Sequence, residues 1–192
     1  MSEVAALKEQ NAVCEALGRG LLVAIARKGG IEDETSAGLR EALVPQPDRP
    51  FLLLPTRFHE ADDTLRPVVR ESLADLPAKP PEAFCCRYVA RCVDEFVLRE
   101  PERLDVLAEL QPFTSAVLQE RFDYREPGLV VLVLQTLRLP EPLLVPDDER
   151  VAGCRSWVTV DAEAERIAAA RPVLEQTAMK AAYDRVRIAL GE

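Results

Sequence analysis

One histidine, one tryptophan and four lysines are all that this chain of 192 residues holds of those types, and each scarcity removes a class of function. A single imidazole, His59, excludes any mechanism that needs a histidine pair. So few lysines within a formal net charge of −9 argue against general coating of nucleic acid, because counterion release needs a basic face. No apolar run approaches the roughly 20 residues that span a bilayer. The acidic, alanine-rich start lacks the charged, apolar and cleavage regions of a secretory signal. Five cysteines, an odd number scattered along the chain, make no disulfide framework, which agrees with a reducing compartment. The expectation is a cytoplasmic protein with no membrane contact.

What is present is the composition of a globular domain, 48 % hydrophobic and 30 % charged. The length suits one domain over residues 1–192, with residues 162–192 as a C-terminal helical region packed on it. Helix formers from Val4 to Leu17, stopped by Gly18 and Gly20, predict a first helix. Leu21 to Ala26 and Phe51 to Leu54 read as strands, the second closed by Pro55 and Thr56. Phe84 to Leu98 predicts a strand bulged near Asp94. Pro101 opens a helix to Leu110, and Thr114 caps another running to Arg121. Leu129 to Leu139, apolar without alternation in its core, predicts a central strand buried on both faces. Trp157 to Val160 is a last short strand, and on the final helix Met179, Ala182, Val186 and Ala189 form an apolar face. This order predicts an α+β fold: a single domain whose mixed or mostly antiparallel central sheet is flanked by N- and C-terminal helices.

The most informative stretch is Leu21 to Ile31, where an apolar run ends in Arg27-Lys28-Gly29-Gly30. Glycines let the main chain approach a ligand closely, so this basic turn can present backbone N–H groups and two cations to a phosphate or carboxylate. It lacks the longer glycine loop and the Ser or Thr of a nucleotide P-loop, and a solvated hairpin turn is the plainer reading. Thr56, His59 and Glu60 come to the same sheet edge as Lys28 if their two strands are neighbours. There His59 is the candidate acid or base and Glu60 the candidate carboxylate; anchoring of the loop is the structural alternative.

Cys85, Cys86 and Cys92 do not suit a mononuclear metal site, since adjacent thiols on a strand point to opposite faces. Asp62-Asp63, Asp94-Glu95 and Asp147-Asp148-Glu149 read as solvated surface charge, so no metal set is assigned. Ser156 lacks the flanking glycines of a nucleophile elbow. Trp157 beside it suits either a core position or a stacking contact with a ligand.

Several short motifs, taken in order, resemble a known family. They are Leu7-Lys8-Glu9, Cys14-Glu15-Ala16-Leu17, the Arg27 to Ile31 turn, and Phe51-Leu52-Leu53-Leu54-Pro55-Thr56 with His59 shortly after it. Leu137-Arg138-Leu139 before a proline and Gly153-Cys154-Arg155-Ser156-Trp157-Val158 complete the set. Together they resemble the bacterial family numbered eighteen-oh-two among the domains of unknown function, over most of the chain. The resemblance implies no activity. Where that family tends to carry an aromatic residue after Lys-Glu, an Asp or Glu and a histidine before the Phe-Leu strand, and His-Gln after Pro-Thr, this chain has Gln10, Pro47-Asp48-Arg49-Pro50 and His59-Glu60. Those departures weaken an enzymatic reading. The functional expectation is a domain that binds a phosphate-bearing ligand, a nucleotide or nucleic-acid end, through Arg27, Lys28, Gly29, Gly30, Thr56, Ser156 and Trp157. The alternatives are a phosphoester-directed enzyme using His59 and a protein-interaction scaffold; the cofactor is left unassigned.

Overall fold

The computed structural model describes residues 2–28, 49–56, 64–71, 83–153 and 156–191. The expected Leu39 to Val44 segment, most of the Pro45 to Pro50 turn, and Gly29, Gly30, His59 and Glu60 lie outside the described residues.

The chain opens not with a helix but with strand β1, Ser2–Gln10, and turns helical only at α1, Asn11–Gly18. The N-terminal helix expected over Val4 to Leu17 is therefore half strand. Alanine, leucine, lysine and glutamate favour a helix by intrinsic propensity, but pairing on both sides overrides it. β1 runs parallel to β3, Phe51–Thr56, from Ala6 opposite Leu52 to Gln10 opposite Thr56. On its other side it runs antiparallel to β6, Trp157–Ala162, from Ser2 opposite Ala162 to Leu7 opposite Trp157.

The remaining strands are β2, Ala24–Arg27; β4, Ala83–Leu98; β5, Leu129–Pro146; and the two-residue β7, Arg171–Pro172, which pairs with β5. The sheet order is β2-β5-β4-β3-β1-β6. The β1–β3 pair is parallel and the other pairs are antiparallel, which gives the expected mixed sheet of an α+β domain. β4 and β5 pair from Ala83 opposite Pro146 to Leu98 opposite Leu129, with register shifts at Cys86/Tyr88 and Cys92/Asp94. The second coincides with the bulge expected near Asp94, and both add twist to the longest strand pair. β5 is interior, and Val131 to Leu134 are buried, but it lies one strand from the edge and not in the middle.

Helix α2 is Pro67–Glu71, α3 Leu104–Ala108, α4 Ser115–Asp123, α5 Ala164–Ala168 and α6 Gln176–Leu190. Thr114 caps α4 as expected, its hydroxyl accepting from the Val117 N–H. One face of the sheet, carrying Leu7, Ile25, Phe51, Leu53, Leu132 and Leu134, is packed by α1, Leu65, Val69 and Phe113. On the opposite face Ala24, Ala26, Val131 and Val133 meet α3, α4 and α6. Met179, Ala182, Val186 and Leu190 form the buried stripe of α6. A third cluster joins Leu52, Leu54, Val89, Val158 and Val160 towards β6. Among the described residues no helix is long and apolar enough to cross a membrane.

Candidate anion-binding site

β1 ends in charge although it stays paired with β3 to its last residue, Lys8 opposite Leu54 and Gln10 opposite Thr56. Lys8, Glu9 and Gln10 follow the buried Leu7, and the chain enters α1 at Asn11. Glu9 is nonetheless only 7 % exposed. Its Oε1 accepts from the Gln10 N–H at 3.0 Å, and its Oε2 accepts from Arg27 Nη1.

Arg27 comes from the far side of the sheet. β2 and β1 are separated by β5, β4 and β3, which in a flat sheet would place them about 19 Å apart at the usual strand spacing. The Arg27–Glu9 ion pair therefore requires the sheet to curl around α1, bringing the ends of β1 and β2 together over one concave face. This corrects the expectation that the strands ending at Lys28 and Thr56 are neighbours. β2 and β3 are not adjacent, and curvature rather than pairing gathers their ends.

β2 is an edge strand, and α4 lies along it. Arg121 Nη1 donates to the Ala26 carbonyl at 3.1 Å, and its guanidinium lies 3.7 Å from the centre of the Phe113 ring. Burial lowers the proton affinity of this guanidinium, while Glu9 and Glu120 raise it and neighbouring Arg27 lowers it further. The Arg121 guanidinium thus lies in the electrostatic field of Glu9, while Arg27 makes the ion pair with that carboxylate. Arg27 Nε is buried and has no hydrogen-bond partner among the described residues.

The other expected site residues reach the same stretch of β1. Thr56, at the end of β3, donates its hydroxyl to the Glu9 carbonyl at 3.2 Å. Ser156 accepts the Lys8 N–H on its own carbonyl at 2.8 Å, a contact made by its main chain. Trp157 sits opposite Leu7, with its ring edge-on to Phe51 at a centroid separation of 5.0 Å, and its indole Nε1 is buried without a partner among the described residues. Arg27, Thr56, Ser156 and Trp157 are therefore brought together around Leu7–Gln10.

Lys28 departs from this group. Its ammonium donates to the carbonyls of Phe122, at 3.0 Å, Gly128, at 2.9 Å, and Glu126, all in or after the last turn of α4. Partial burial lowers its pKa.

Glu9 and Arg121 are the functional candidates that reading the sequence missed. Glu9 stands in the Leu7-Lys8-Glu9 motif, which signals it; nothing local distinguishes Arg121 from other helix arginines. The model of a family described as a domain of unknown function, DUF1802, matches residues 6–185. The chain belongs to the DUF1802 family. No curated protein and no solved structure matches it significantly. The matched span takes in Glu9, Arg27, Thr56, Arg121 and Trp157, so the whole gathered cluster belongs to the DUF1802 domain.

Proposed function

We propose that this DUF1802 domain binds a small phosphate-bearing ligand, a nucleotide or nucleic-acid end, where β1, β2 and α4 meet. The observation that supports this reading is the buried Arg27–Glu9 ion pair, with the Arg121 guanidinium in the electrostatic field of the same carboxylate and Arg27 Nε without a hydrogen-bond partner among the described residues. A guanidinium fixed in this way is a ready bidentate partner for a phosphate, and its low exposure strengthens the contact by excluding water. The carboxyl ends of the parallel strands β1 and β3 converge there too, the position where sheets with helical crossovers commonly hold ligands. The fall in isoelectric point that comes with a net charge of −9 does not oppose this, because a local basic pocket acts at short range.

The test is thermal unfolding in the presence of inorganic phosphate, nucleoside mono- and diphosphates, and oligonucleotides with and without a 5′-phosphate. A ligand at a hundred times its Kd adds about 2.7 kcal/mol, which for a domain of this size raises the midpoint by roughly 5 to 10 °C. Arg27→Gln removes that response. An unchanged midpoint across the phosphate series refutes the reading, and an equal response to unphosphorylated oligonucleotides redirects it to the base or sugar.

A further inference from the structure

The ammonium of Lys28 does not face the Glu9 cluster; it is enclosed by backbone. Three carbonyls, those of Phe122, Glu126 and Gly128, converge on it. Phe122 is in the last turn of α4, where helix carbonyls lack an intrahelical donor and the dipole favours a cation. The chain after the helix is bent to complete the enclosure: Arg125 has φ +60° and Gly128 φ +137°. A left-handed conformation at a non-glycine residue is uncommon and persists where surrounding contacts enforce it. The Gly128 N–H returns to the Phe122 carbonyl at 3.1 Å, so one oxygen serves both the turn and the lysine.

We infer that Lys28 is a positioning residue: its ammonium, held in this carbonyl cage, pins the end of β2 to the α4–β5 turn and so fixes the adjacent Arg27 against Glu9. Arg27 and Lys28 are consecutive, and alternation along the strand end sends one side chain to Glu9 and the other to the turn. Arg121, one residue before the Phe122 carbonyl, is held by the same helix turn against the Ala26 carbonyl. Fixing the turn thereby sets both guanidiniums. The inference deepens the phosphate-binding reading and rests on it for its functional consequence, whereas its structural content stands independently.

The experiment uses the full chain and the variants Lys28→Ala and Lys28→Met. Propylammonium supplies the three carbons and the ammonium that Lys28→Ala removes; Lys28→Met keeps the volume of the stem and leaves no room for it. Exchange of the Gly128 backbone N–H and of the Arg27 Nε–H is read by NMR, without and with inorganic phosphate. In Lys28→Ala both protons exchange at least tenfold faster, and millimolar propylammonium restores both with no phosphate present. In Lys28→Met the faster exchange persists and propylammonium has no effect. The phosphate response follows the same pattern, lost and then rescued in Lys28→Ala. Unchanged exchange at both protons in Lys28→Ala overturns the inference. So does a lost phosphate response with the turn still protected, since that makes Lys28 a direct ligand contact. A wild-type protein that ignores phosphate yet shows the exchange losses and their rescue refutes the binding reading alone.

Discussion

Arg27 and Glu9 meet across a sheet in which β5, β4 and β3 lie between their strands. The side chains are 11 % and 7 % exposed, so the pair is taken almost wholly out of water. Desolvating two such charges is offset only when the geometry is good and other donors complete the shell. The Gln10 N–H supplies one of those donors on the carboxylate side. On the arginine side Nε has no hydrogen-bond partner among the described residues, and the nearby guanidinium of Arg121 adds to the demand for negative charge. A globular fold gains little from such an arrangement by itself, which is why the pair is read as a site and not only as a brace.

Glu9→Gln separates those roles. It removes the carboxylate paired with buried Arg27, and breaking a buried pair in this way is expected to destabilise the fold by about 3–5 kcal/mol. If Arg27 and Arg121 form an anion site, phosphate then takes the vacated role and recovers a larger part of the stability in Glu9→Gln than it adds to the wild type. Urea unfolding at fixed ionic strength, with sulfate-free buffer and graded phosphate, measures both effects. Equal phosphate increments in the two proteins would show that Glu9 and the anion do not compete.

Much of the fold was legible because it rests on local chemistry. The β-branched run of β5, the bulge at Asp94, the Thr114 cap and the apolar stripe of α6 all follow from neighbours within one element. β1 was not legible for the opposite reason. Its residues favour a helix, and only the flanking β3 and β6, distant in sequence, hold them extended. The site divides in the same way. Arg27, Thr56 and Trp157 lie in recognisable segments, but their meeting with Glu9 depends on sheet order and curvature that no local pattern encodes. Lys28 looked like the free cation of a turn because the carbonyls that bind it lie about a hundred residues away in the chain.

The thiols offer a check on burial. Desolvation raises Cys14 and Cys86 well above the ordinary thiol range, and it pushes Cys92 up to about 11. The thiolate is the reactive form, so these three are expected to resist a disulfide reagent at pH 8 in the folded protein and to react quickly in denaturant. Cys85, partly buried like Cys92, serves as the native-state comparison. Mass spectrometry after a timed pulse assigns each site; rapid native labelling of Cys86 contradicts the packing between β4 and the third core cluster.

Gly18→Ala gives a sign test of how α1 is seated. In an open helix this change stabilises by about 1 kcal/mol. Here an added Cβ would lie 2.0 Å from Tyr88 Cζ and 2.3 Å from Cε1, so the ring must move. Its hydroxyl then leaves the Glu15 carboxylate, to which it donates at 2.9 Å and which Arg87 also pairs with. Overpacking together with the loss of a buried hydrogen bond is expected to lower stability by about 3 kcal/mol. Gly18→Ala in a Tyr88→Leu background should cost much less, and the coupling between the two sites is read from the cycle of four unfolding curves. Simple additivity would mean that the ring does not block the helix terminus.

The same tyrosine makes the fold sensitive to alkali. Burial first, then the charge and hydrogen bond of Glu15, push the Tyr88 phenol up to about 12, against the opposing pull of Arg138 and Arg87. The folded protein keeps the phenolic proton at pH values where the unfolded chain, with an ordinary value near about 10, has released it. The unfolded state then binds fewer protons, so stability falls as pH rises. The contribution is fully present below about pH 10 and is lost as pH climbs through about 12. Tyr88→Phe should flatten this part of the stability curve while lowering stability at neutral pH, because Glu15 is left with Arg87 but without the hydroxyl. Guanidinium unfolding between pH 8 and pH 11 measures the slope of each protein; parallel slopes would show that another group governs the alkaline loss.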